Sequence, residues 1–106
     1  MGKKKLTETE VHEHLGLLPG WSLANDTLHK EFEFASFGKA MEFVNQIAET
    51  AEAVQHHPDI DIRYKKVKMA TSTHDVGGLS LLDVETAAAA DDIAAAIASD
   101  RVVTIS

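Results

Sequence analysis

The sequence predicts an α+β domain in which a four-stranded antiparallel sheet carries three helices on one face. Three observations predict it. Apolar residues recur at helical spacing in three separate stretches, two runs of period-two alternation lie between them, and no repeat or linker divides the chain. The order is therefore helix, hairpin, helix, hairpin, helix. With 106 residues, the chain fits one domain, since upwards of about 100 residues go to each core. The core is expected over residues 6–98, with a basic leader at 1–5 and a tail at 99–106.

Thr7 followed by Glu10 is a capping-box pattern, and Leu6 with Val11 stands where a hydrophobic staple sits. The first helix starts there, carries Val11, Leu15 and Leu18 inward, and stops at Pro19-Gly20. Apolar alternation from Trp21 to Leu23, a turn at Asn25-Asp26, and Leu28, Phe32 and Phe34 on a period of two make the first hairpin. His29, Glu31 and Glu33 fall on its opposite face. Ser36 is placed to cap a second helix with Phe37, Ala40, Met41, Val44, Ile47, Ala48, Ala51 and Val54 in one stripe. Pro58 disfavours helical geometry at His57, so that helix ends around Gln55 to His57. Ile60, Ile62 and Tyr64, a turn at Lys65-Lys66, then Val67, Met69, Thr71 and Thr73 form the second hairpin. Gly77-Gly78 breaks it before a third helix, capped at Ser80 with Asp83 in place of the usual Glu, running to about Ala98. Val103 and Ile105 in the tail alternate weakly, as an added strand would.

A net charge of -7 speaks against a phosphate-backbone partner, because nucleic-acid affinity comes from Lys and Arg. The basic run Lys65, Lys66 and Lys68 reads as a solvated turn. No stretch approaches the roughly 18 apolar residues of a membrane span, and Leu6 stands where a myristoylation motif wants Ser or Thr. The chain has no cysteine, which removes disulfides, thiol nucleophiles and thiolate metal sites and is compatible with a reducing cytoplasm, the expected setting.

His, Asp, Glu, Ser and Lys remain to do chemistry. His56 and His57 sit at a helix end just before Pro58, on irregular backbone, and His74 arrives at the end of the second hairpin, so the three can share one cleft. Histidine suits proton transfer near neutral pH, its ordinary pKa being about 6.5. Glu52 stands four residues before His56 and can orient it if the helix persists that far. Asp83 has a capping role as well as a possible site role, and Trp21 can either stack on a flat ligand or fill the core. Two adjacent histidines rarely reach one ion, and with no His-Glu-x-x-His helix, metal ranks below direct acid/base work. Phosphate loops, nucleophile elbows and a Ser/His/Asp pattern are missing.

The string Glu52-x-x-x-His56-His57-Pro58, with Tyr64, Thr73-His74-Asp75, Gly77-Gly78-Leu79 and Asp83, resembles the pterin-4a-carbinolamine dehydratase family. The likeness extends from about Leu6 to Ile97. It implies dehydration of 4a-hydroxytetrahydropterin to quinonoid dihydropterin and water, in pterin recycling after aromatic amino-acid hydroxylation, without metal or redox cofactor. By position, His56 and His74 are the implied acids for the two faces of the 4a-carbon, and His57 binds the ring and accepts the N5 proton. Glu52 and Pro58 support them, while Trp21 and Asp83 are pocket-margin candidates. The resemblance also implies dimers or tetramers. The alternative it carries is a binding or assembly scaffold, because relatives serve as dimerisation cofactors of a transcription factor or help to assemble another enzyme.

Overall fold

The computed structural model describes residues 3–98. Along them run α1 (Glu8–Leu15), β1 (Ser22–Ala24), β2 (Thr27–Glu33), α2 (Phe37–Val54), β3 (Asp59–Arg63), β4 (Lys66–Thr71), a 3-10 turn (His74–Val76) and α3 (Leu81–Ala98). The strands form one antiparallel sheet in the order β1-β2-β4-β3. The α+β architecture is thus the one expected. The weak strand expected at Val103 and Ile105 lies outside the described residues.

Local chemistry sets the boundaries. At Thr7 the capping box closes in both directions, its hydroxyl accepting from Glu10 N–H at 3.1 Å and its own N–H donating to Glu10 Oε1 at 2.8 Å. Ser36 accepts from Lys39 N–H at 3.1 Å. Asn25 and Asp26 both adopt positive φ, 53° and 57°, the two-residue hairpin turn expected of them. The second hairpin turns one residue earlier than expected, at Tyr64-Lys65, with Arg63 opposite Lys66. This register sets Ile62 opposite Val67 and Ile60 opposite Met69. A slip of one residue would send every one of these side chains to the wrong face.

Leu28, Phe32, Phe34, Val67 and Met69 are buried on the inward face, and Val11 of α1, Ala40, Phe43 and Ile47 of α2, and Ala87, Ala90 and Ile97 of α3 complete the core. Glu31, Glu33, Lys66 and Lys68 alternate outward and are exposed. Phe43, absent from the expected stripe, is fully buried, with ring centroids 4.8 Å from Phe32 and 5.0 Å from Phe34. The inward line of α2 is Ala40, Phe43, Ile47 and Ala51, while Phe37, Ala48 and Val54 are exposed.

Candidate active site

Register brings the site together. Asp59 at the start of β3 pairs with Ala70 near the end of β4. His56, His57 and Pro58 lead into β3, so they lie at the end of the sheet from which Thr73 and His74 depart. The chain turns inward at His56 because α2 ends at Val54 and Gln55 takes a left-handed conformation (φ 55°, ψ 44°). The N–H groups of Gln55 and His56 both return to the Ala51 carbonyl. His56 is consequently buried, whereas its neighbour His57 stays exposed.

Asp83, in the first turn of α3, is fully buried and is the hub of the site. Its Oδ1 lies 2.7 Å from His56 Nε2 and accepts the Thr71 hydroxyl at 2.6 Å. The second oxygen, Oδ2, accepts the Thr73 hydroxyl at 2.7 Å and the Ser80 N–H at 3.0 Å. One side chain thus both reaches back to the helix start and holds a histidine. Through Thr73 the same carboxylate anchors the chain one residue before His74. Ser80 Oγ sits 2.7 Å from Thr73 Oγ1 and accepts Leu82 N–H at 3.2 Å. Thr71, Thr73 and Ser80 were not singled out as site residues by the sequence. The signal was present, since Thr71 and Thr73 continue the inward alternation of Val67 and Met69, and buried hydroxyls require partners.

Glu52 pairs with His57, Oε2 to Nε2 at 2.8 Å, rather than with His56. The reason is the left-handed residue at Gln55, which ends the helix before an i,i+4 contact with position 56 can form. The pair is largely exposed, so it orients the imidazole and contributes little to stability. His74 is exposed on the 3-10 turn. That turn is tied to the basic leader: Lys3 Nζ reaches Asp75 Oδ2 at 2.8 Å, and Leu6 N–H donates to the Leu79 carbonyl at 2.8 Å.

The hydrogen bond and charge of Lys3 hold the Asp75 carboxyl below its ordinary value. A carboxyl lowered by folding stabilises the fold above its unfolded pKa, and the contribution is lost as pH falls through the lowered folded value. The side-chain carboxyl of Asp75 should therefore titrate below the ordinary carboxylate range, read by its carbon-13 shift. Lys3→Met should bring that transition up into the ordinary carboxylate range, and an unchanged midpoint would refute the tie.

Trp21 is placed in the core, 7% exposed, edge-on to Phe32 with centroids 6.0 Å apart. Its indole N–H donates to both oxygens of Asp91, at 3.1 and 3.2 Å. Lys30, inward on β2, shares that carboxylate at 2.8 Å and reaches the Pro19 carbonyl at 2.9 Å. Asp91 stands roughly 12 Å along α3 from Asp83, at 1.5 Å per residue. Trp21→Phe should thus cost about 1–2 kcal/mol for the lost N–H partner, read by urea denaturation, and an unchanged midpoint would contradict that bond.

Among the described residues no three His, Cys, Asp or Glu side chains are grouped to hold a metal ion, and no helix is long and apolar enough to cross a membrane. Fold and side chains together define a small α+β domain in which a buried aspartate holds one histidine, His56, while His57 and His74 stand exposed. A family model described as pterin 4 alpha carbinolamine dehydratase matches residues 4–93, and the chain belongs to that family. A provisionally named pterin-4-alpha-carbinolamine dehydratase of Chloroflexus aurantiacus is 48% identical over 89 residues, covering 84% of this chain and 96% of its own. One from Sulfurisphaera tokodaii is 43% identical over 90 residues, covering 85% and 97%. Among solved structures, a transcriptional coactivator/pterin dehydratase from Brucella melitensis superposes with a TM-score of 0.84 at 33% identity, covering 86% of this chain and 99% of that one. A pterin dehydratase-like protein described as a RuBisCO assembly factor of the alpha-carboxysome shares the fold, with a TM-score of 0.60 at 23% identity over 70% of this chain and 86% of that one.

Proposed function

We propose that this chain dehydrates a 4a-hydroxytetrahydropterin to the quinonoid dihydropterin and water. The observation that carries the reading is the buried Asp83–His56 pair, with Oδ1 and Nε2 2.7 Å apart, at the end of the sheet where His57 and His74 also stand. An internal carboxylate at hydrogen-bonding distance from an imidazole is costly to build and suits proton transfer. The reaction needs one proton delivered to the departing 4a-hydroxyl and one taken from N5, as the C4a–N5 double bond forms. His56 and His74 are the acids in this reading and His57 the base, steadied by Glu52. Pro58 ends the preceding turn and holds the histidine pair in its non-helical path. No metal or redox cofactor enters these steps. Purified protein should speed the decay of the 4a-carbinolamine absorbance, and no gain over buffer would sink the reading.

The same proposal includes a homodimer or homotetramer, since Phe37 at 49%, Val54 at 47% and Leu81 at 52% exposure leave apolar surface open on the helices. Light scattering should give two or four copies, and a monomer at micromolar concentration would contradict it. The competing reading, a binding or assembly scaffold, draws on the fold shared with the RuBisCO assembly factor. It requires a stoichiometric partner retained when all three histidines are replaced.

A further inference from the structure

Proton positions in the Asp83 network follow from its donors. A carboxylate offers about four lone-pair directions, and here each oxygen accepts from two partners, Thr71 and His56 on Oδ1, Thr73 and Ser80 N–H on Oδ2. No direction is left for a proton of its own. Thr71 and Thr73 own one hydroxyl proton each, and both are given to Asp83. Thr73 Oγ1 therefore receives the Ser80 hydroxyl at 2.7 Å, and Thr71 Oγ1, 3.3 Å from His56 Nε2, faces that nitrogen as an acceptor. Both neighbours of Nε2 thus present lone pairs to it, and an unprotonated Nε2 would meet an anionic oxygen at 2.7 Å. Nε2 carries the hydrogen.

A neutral imidazole has one N–H, which leaves Nδ1 bare. This nitrogen has no hydrogen-bond partner among the described residues, yet no buried side-chain nitrogen or oxygen among them goes unpartnered. Nδ1 accordingly lies on the small part of the ring that is accessible, His56 being 7% exposed.

We propose that Thr71, Thr73 and Ser80 act through Asp83 as positioning residues that hold His56 in its Nε2–H tautomer, so that protons enter and leave His56 through Nδ1. The substrate of that transfer rests on the dehydratase reading; the tautomer does not. With a 4a-hydroxypterin, the imidazolium gives its Nδ1 proton to the departing hydroxyl, the carbon–oxygen bond breaks and water leaves. The N5–H pair forms the C4a–N5 double bond as its proton passes to His57, and His56 returns to the neutral Nε2–H form.

Nitrogen-15 NMR of histidine-labelled protein reads the tautomer directly. The His56 pair is assigned by its loss in His56→Gln and read in the spectrum where no imidazolium signal remains. A pyridine-like Nδ1 and a pyrrole-like Nε2 are expected, and the reverse pattern overturns the proposal without any variant having to fold. Asp83→Asn supplies the second arm. Its carbonyl would stay with Thr73 and Ser80 N–H, turning the amide toward His56 as a donor. The two nitrogen signatures should then exchange, and kcat should fall by about 10²–10⁴-fold with KM little changed. Thr71→Ser, which keeps the hydroxyl, should keep the parent nitrogen pattern, and losing it there would overturn the role of that hydroxyl. Unexchanged signals in a folded Asp83→Asn protein would overturn the role of Asp83. The expected tautomer in a protein without dehydratase activity would overturn the function and leave the tautomer standing.

Discussion

Asp83→Ala is expected to cost about 3–5 kcal/mol, because it leaves several buried donors without their acceptor at about 1–3 kcal/mol each. The carboxylate is fully buried and satisfies four donors at once. Its loss strands two threonine hydroxyls, the Ser80 N–H and an imidazole N–H, all in buried residues. It also releases the first turn of α3 from the chain that carries His74. Because a domain of this size holds only about 5–15 kcal/mol in total, the loss should lower Tm by more than about 10 °C. Calorimetry of the variant checks this, and a Tm within two or three degrees of the parent, on the order of a surface substitution's effect, would show that the network is not a structural hub.

His57→Ala should do the opposite, sparing the fold and removing the chemistry. The imidazole side chain is 60% exposed and its one partner, Glu52, is 78% exposed. Stability should therefore change by no more than about 0.5 kcal/mol. As the proposed base for N5, however, His57 should account for about 10²–10⁴-fold in rate, and its loss should weaken pterin binding as well. Glu52→Gln should lose far less, since it disturbs only the orientation of the ring. A His57→Ala enzyme with normal kcat and KM would remove His57 from the mechanism and shift the base to another group.

These two expectations rest on different parts of what the sequence makes legible. Thr7 with Glu10, Ser36, and Asn25-Asp26 are local devices whose geometry is decided within four residues, and the helices and first hairpin follow them closely. The His-His-Pro string marks a candidate site for the same reason. The inward turn of His56 is not legible, because it depends on Gln55 adopting a left-handed conformation that its side chain does not favour. The Asp83 network is half legible. Period-two alternation sends Thr71 and Thr73 inward, but which carboxylate meets them depends on how α3 lies across the sheet. Lys30 breaks the pattern outright: it is a charge at an inward position of β2, made tolerable by Asp91 and the Pro19 carbonyl, neither of which is near it in sequence. Phe43 is not legible in the stripe that Phe37 and Ala40 trace, because only the aromatic rings of β2 decide which side of α2 faces the sheet.

The proposal under test is that His56, held by Asp83, together with His57 and His74 dehydrates a pterin carbinolamine. Its most direct test is the decay of 4a-hydroxytetrahydropterin absorbance in the presence of the parent protein and of a His56→Gln, His57→Ala, His74→Gln triple variant, with no metal added. Faster decay with the parent, reduced to the buffer rate by the triple variant while circular dichroism stays unchanged, is the predicted result. Equal decay with parent, variant and buffer would contradict the account.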